Sequence, residues 1–129
     1  MSRFHRRLAV AACAALAGVA IAAIPALATQ TVKINSKVTI SDNAPAFHGH
    51  VRSSNSACEQ QRKVKLFKQR SGPDKLLGKD KTNNRGRWEV EVDPLKSGAY
   101  YAKVVRRKEG TAGTIFVCRG DTSKTVVVD

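Results

Sequence analysis

Asn83-Asn84-Arg85-Gly86-Arg87-Trp88-Glu89-Val90-Glu91-Val92-Asp93-Pro94 is the stretch whose reading decides the fold. Trp88, Val90 and Val92 alternate with Arg87, Glu89 and Glu91, which puts one apolar and one charged row on opposite faces of a strand. Asn-Asn-Arg-Gly ahead of the run reaches positive φ at little cost and reads as a hairpin connection. Asp93-Pro94 ends it, because proline has no amide hydrogen to give to a ladder.

The same period of two extends in both directions, and no stretch carries a helical stripe. Val32, Ile34, Val38 and Ile40 mark a first long strand, interrupted near Asn35-Ser36. Phe47, Gly49 and Val51 share one side of a second strand, with His48, His50 and Arg52 on the other. A polar loop over 53–61 contains Cys58, and Val64 and Leu66 then alternate with Lys63 and Lys65. Ser71-Gly72-Pro73-Asp74 is a turn, followed by a shorter strand over 75–82. Tyr100, Ala102 and Val104 line one face of a strand over 99–106. A loop is expected over 109–113, a strand over 114–118, a turn over 119–123 and a closing strand over 124–128. The expected fold is all-β: seven to eight strands at close spacing, forming an antiparallel sandwich.

The N-terminus obeys different rules. Arg3, Arg6 and Arg7 precede an uncharged run from Leu8 to Ile24, Pro25 breaks it, and Ala26-Leu27-Ala28 supplies a small-x-small cleavage pattern. Residues 1–28 therefore read as a helical signal peptide, with the mature chain starting at Thr29 as a single domain over 29–129. The alternative is a retained anchor, since this run approaches the length that spans a bilayer. Val10-Ala11-Ala12-Cys13 has the shape of a lipoprotein box, but it follows Arg7 too closely to leave room for an h-region. Cys13 is accordingly read as part of the signal. No membrane span is expected after cleavage, and the destination is the cell envelope or the exterior.

Residues 29–129 carry 20 Lys+Arg against 10 Asp+Glu, a net +10, within the +13 of the whole chain. A chain of this length excludes a multidomain enzyme, a large cofactor fold and a polytopic membrane protein. With Cys13 assigned to the signal, Cys58 and Cys118 remain, an even pair in an exported protein, so one disulfide is expected.

Gly49-x-Val51-x-Ser53, Cys58 and Arg62-x-Val64-x-Leu66 resemble the opening of transthyretin-like and carboxypeptidase-regulatory-like β-sandwiches. Lys79-x-x-Thr82-Asn83-x-x-Gly86-x-Trp88 and Gly98-x-Tyr100-x-Ala102-x-Val104 carry the likeness onward, closest to small secreted proteins of actinobacterial type. The resemblance covers roughly residues 47–128 and implies a Greek-key sandwich, also Ig-like in outline, with Tyr100 near a strand corner. It implies nothing catalytic. Collagen-adhesin B-type relatives form an internal Lys–Asn bond, but the strand over 124–128 offers no Asn.

Candidate chemistry is sparse. His48-x-His50 puts two imidazoles on one strand face, too few for a metal site without a third ligand. A small secreted hydrolase or nuclease would need an acid–base pair plus a phosphate-binding arginine, for which His48, His50, Glu89 and Glu91 are the available groups. Arg119-Gly120-Asp121 matches an integrin-binding tripeptide and equally an ordinary turn. No enzyme activity, cofactor or metal is expected.

The charge pattern says more. Lys63, Lys65, Lys68 and Arg70 cluster on one strand, and Lys103, Arg106, Arg107 and Lys108 on another. Such faces attract polyanions, which for an exported protein means anionic envelope polymers, lipid head groups, glycans or extracellular DNA. They also serve solubility and protect strand edges. Specific nucleic-acid recognition is not expected, because no aromatic platform is seen among the cations.

Overall fold

The computed structural model describes Gly18, residues 29–43 and residues 45–129. The expected signal peptide thus lies outside the described residues except for Gly18. Among the described residues the chain is all-β, and no helix is long and apolar enough to cross a membrane.

Twelve short strands are described: β1 (Gln30–Ile34), β2 (Ser36–Val38), β3 (Ser41–Asn43), β4 (Ala46–Ser53), β5 (Lys63–Lys68), β6 (Lys75–Lys81), β7 (Arg87–Glu91), β8 (Gly98–Val104), β9 (Arg107–Thr111), β10 (Thr114–Cys118), β11 (Asp121–Thr122) and β12 (Val126–Val128). One sheet runs β6-β5-β8, with β11 and β12 both pairing the far edge of β8. In a second, β2 and β3 lie along one edge of β4 and β7 along the other. A third, smaller sheet is ordered β1-β10-β9.

Alternation explains the packing of the first two sheets. Val38, Ile40, Phe47, Val51, Trp88 and Val90 come from one, Val64, Leu66, Tyr100, Ala102 and Val104 from the other, and all join one buried cluster. Face-to-face burial of two apolar rows is consistent with a β-sandwich. Phe47 and Tyr100 meet at its centre with ring centroids 4.7 Å apart. The Tyr100 hydroxyl donates to the carbonyl of Lys96, four residues upstream, and so closes the corner that leads into β8.

Three expectations change. The first long strand is divided into β1 and β2, because at the interruption near Asn35 the chain leaves one sheet for another. The expected loop over 109–113 is largely strand, as β9 hydrogen-bonds along β10 from Arg107↔Cys118 to Thr111↔Thr114. Ladder formation here overrides a polar sequence with no strand pattern. The third change is that β1 pairs β10 in parallel, Gln30↔Thr114 through Ile34↔Cys118. No tight turn joins these segments, so their direction is set by tertiary docking.

Two glycines answer to close approach. Gly86 has φ +74°, and the Asn83 carboxamide oxygen accepts from the N–H groups of Arg85 and Arg87, which builds the hairpin the sequence calls for. Gly49 on β4 faces the carbonyl of Thr39, which accepts the Trp88 indole N–H at 3.1 Å. A Cβ at Gly49 would fall 1.9 Å from the Thr39 oxygen and 2.9 Å from Trp88 Nε1. Gly49→Ala should therefore destabilise the fold by about 3 kcal/mol, since both backbone and ring must move. A lower urea midpoint with an unchanged m-value would register it; an unaltered midpoint would show that Thr39 relaxes freely.

The third sheet has its own small cluster, Ile34, Cys58 and Cys118, with Val32 and Phe116 packed against it. The disulfide Cys58–Cys118 is formed, with Cα atoms 5.4 Å apart, and ties the 3-10 turn Ser56–Cys58 to the end of β10.

At the junction of these sheets lies Arg62, a fully buried arginine. Its Nη1 donates to the Cys58 carbonyl at 2.6 Å and the Ser36 hydroxyl at 2.7 Å. Nη2 donates to the carbonyls of Val105 and Arg119, each at 3.0 Å. Burial, with the neighbouring Arg107 charge adding to it and Glu109 opposing, pushes the guanidinium down to about 10, still protonated at neutral pH.

Candidate functional site

Strand register decides which cations meet. In the β6-β5-β8 sheet, Lys65 pairs Lys79 on one side and Lys103 on the other, and Lys63 pairs Lys81. Paired residues share a face. Since Val64 and Leu66 point into the core, both lysine rows point outward. Lys63, Lys79, Lys81 and Lys103 are exposed, and Lys65 is half-buried among them. Adjacent strands lie about 4.8 Å apart, so three like charges stand side by side, an arrangement that is destabilising by itself.

Beside the row Lys79-Lys65-Lys103 runs a second row, Leu76-Phe67-Tyr101, in the same register. The two rings stack at 5.4 Å with an interplanar angle of 15°. The bulge between Leu66 and Phe67 explains how Leu76 comes to face outward while its neighbour Leu77 packs against the core. A shallow depression of about 500 Å³ opens on this face, lined by Lys65, Phe67, Lys103, Arg106 and Thr122, with Asp121 at its side.

Of the eight cations the sequence singles out, Lys65, Lys103 and Arg106 come together here, and Lys63 shares a neighbouring opening with Lys81, Arg106 and Arg107. Lys68 and Arg70 do not. They line a separate opening at one end of the sandwich with Lys75 and Lys96, and with Glu91 and Asp93. Lys68 Nζ lies 5.8 Å from the centroid of the Tyr100 ring. Lys108 is on β9 opposite Val117, in the third sheet.

Arg107 has a structural task. Its Nη1 donates to the carbonyls of Gln60 and Gln61, and Nη2 to that of Ala57. Nη2 also lies 3.0 Å from a Glu109 carboxylate oxygen. These bonds clamp the loop that carries Cys58. Lys79 and Lys81 are missed by clustering along the sequence, because only the β5–β6 pairing places them beside Lys65 and Lys63. The signal was present as the alternation Lys79-x-Lys81 on a strand that follows a turn.

On the outer face of the other sheet, His48 stands opposite Glu89 and His50 opposite Arg87. Burial and the charges of Arg52, Arg87 and His48 lower the pKa of His50. Among the described residues, no three His, Cys, Asp or Glu side chains come together to hold a metal.

Arg119-Gly120-Asp121 is engaged internally. The Asp121 carboxylate accepts the Val38 N–H at 2.9 Å, Arg119 Nη1 reaches Asn35 Oδ1, and the Arg119 carbonyl receives Arg62. The aspartate needed for adhesive display is already hydrogen-bonded within the fold.

No protein-family model matches the chain, and no curated protein is similar to it.

Proposed function

We propose that the protein is a secreted, non-catalytic β-sandwich of transthyretin-like, Greek-key type that binds polyanions of the cell envelope through the outer face of its β6-β5-β8 sheet. The Tyr100 corner and the core strands over 63–104 support the fold reading. The disulfide is compatible with an oxidising exterior. One observation carries the binding reading: Lys79, Lys65 and Lys103 lie in direct register across three strands. Mutual repulsion makes such a row costly in the free protein, and a bound polyanion relieves it. No acidic residue occupies an outward position on β5, β6 or β8.

Retention on a heparin column tests this. Binding through five lysines should weaken by about 10²–10³-fold between 50 and 200 mM salt, by the counterion-release relation. Lys65→Ala/Lys79→Ala/Lys103→Ala should flatten the plot of log affinity against log salt by roughly 3 units, one per lysine. Lys33→Ala/Lys37→Ala/Arg85→Ala removes the same charge from other surfaces and should retain most of the slope. Equal losses from both triple variants would show that only net charge matters, and the assigned face would be wrong.

A further inference from the structure

The lysine rows occupy only half of the outer sheet face. Leu76 and Val127, exposed to 43% and 66%, are the exposed large hydrophobics among the described residues. Both lie on this face. Leu76 aligns with Phe67 and Tyr101, while Val127 pairs Ala99, which shares the outward side of β8 with Tyr101. Along the strands the lysine rows are thus followed by the Leu76-Phe67-Tyr101 row and then by one that sets Ala99 and Val127 beside the Gln69–Thr125 hydrogen bond.

We infer that this face docks on an anionic lipid bilayer, with Leu76, Phe67, Tyr101 and Val127 meeting the acyl boundary and the lysines meeting lipid phosphates. The inference rests on the polyanion reading and narrows its ligand class. A hydrophilic polymer would satisfy the ammonium groups and leave Leu76 and Val127 in water. A bilayer surface offers phosphates and hydrocarbon within one shallow layer, the two chemistries this face presents side by side. Lysine suits the boundary, because its apolar stem can lie along the rings while its ammonium reaches the head groups. Five lysines beside an exposed apolar strip also match the requirement for two weak signals acting together, charge and insertion. Asp74 is the carboxylate nearest the strip. It accepts the Tyr101 hydroxyl at 2.6 Å and the Arg70 N–H at 3.2 Å, and both contacts hold it ionised. It therefore belongs at the head-group rim. A second copy is a poorer occupant, because face-to-face stacking brings lysine rows toward one another.

Sedimentation with vesicles tests the inference on the exported protein. Vesicles of phosphatidylcholine with phosphatidylglycerol should bind it, and phosphatidylcholine alone should not. Leu76→Ser/Val127→Ser alters exposed positions and should keep the unfolding midpoint and heparin retention. It should still lose about tenfold in vesicle affinity. Lys65→Ala/Lys103→Ala should weaken both vesicle and heparin binding.

The outcomes separate the two readings. Heparin retention without vesicle binding would overturn the bilayer inference and leave the polyanion reading intact. Vesicle binding unaffected by the serine pair would also overturn it, reducing the attraction to charge alone. Absence of both kinds of binding would defeat the polyanion reading itself. Self-association in sedimentation velocity, abolished by the serine pair, would assign the face to a second copy and overturn the inference.

Discussion

Arg62→Ala should cost about 3–5 kcal/mol of folding stability, read as a fall in urea midpoint at constant slope. The side chain is fully buried, and its four donated hydrogen bonds join the disulfide turn, β2, the end of β8 and the segment after β10. Truncation leaves the carbonyls of Cys58, Val105 and Arg119 without this donor, and each unmet buried acceptor costs about 1–3 kcal/mol. The lost stability is not the net worth of the arginine. Its charge is desolvated, its Nε is buried without a hydrogen-bond partner, and its compensation comes from carbonyl dipoles. Arg62→Lys separates the two effects. An ammonium keeps the charge, but its three donors radiate from one point and cannot span acceptors placed on both arms of the guanidinium fork. Recovery of less than half the loss is expected. Full rescue by lysine would show that charge, and not the fork, holds the junction.

Removing the disulfide should cost about 4 kcal/mol by the loop-entropy estimate. The bridge joins residues 60 apart, so without it the unfolded chain regains the conformational freedom that so large a closed loop withholds. The energetic argument is reinforced by position. Cys58 and Cys118 are both fully buried in the small second cluster, where they meet Ile34. Cys58→Ala/Cys118→Ala therefore loses packing as well as cross-linking, and the loop that Arg107 clamps to β9 loses its second anchor. Burial also shapes the kinetics: reductant should act at the rate of opening of this region, not at that of an exposed disulfide. Protein kept in a thiol reductant should lose its cross-link slowly, and far faster in moderate urea. Rapid reduction without urea, or an unfolding midpoint unchanged in the alanine pair, would contradict this account.

Legibility followed physical range. The alternation Trp88-Val90 against Arg87-Glu89-Glu91 assigned β7, and its inward residues are buried as the pattern requires. The same holds for Val64 and Leu66 on β5 and for Tyr100, Ala102 and Val104 on β8. Cysteine parity anticipated the bridge. Arg62 was hidden for the opposite reason. It stands just before a strand of outward-facing lysines, and only four acceptors, three of them from distant segments, make a buried cation tolerable there. Likewise, the polar run Arg107-Lys108-Glu109-Gly110 offers no strand signal, and it becomes β9 through pairing with β10.

The candidate face shows the same division. Lys63, Lys65 and Lys103 were legible as outward residues, while Lys68, Arg70, Arg107 and Lys108 went elsewhere. Phe67 and Tyr101, from strands far apart in sequence, stack on one another beside the lysine row, a pairing that no linear pattern displays.

By itself the sequence determined an all-β chain, the inward or outward side of most strand residues, a strong positive charge and the partnership of Cys58 with Cys118. Those properties depend on a side-chain period of two, on composition and on parity, all local or countable. Tertiary structure alone decided that Lys79 and Lys81 complete the lysine rows, that Leu76 and Val127 border them, and that Arg62 is buried where the sheets meet. Each of these depends on register between strands, which turn geometry, a bulge and long-range docking set together.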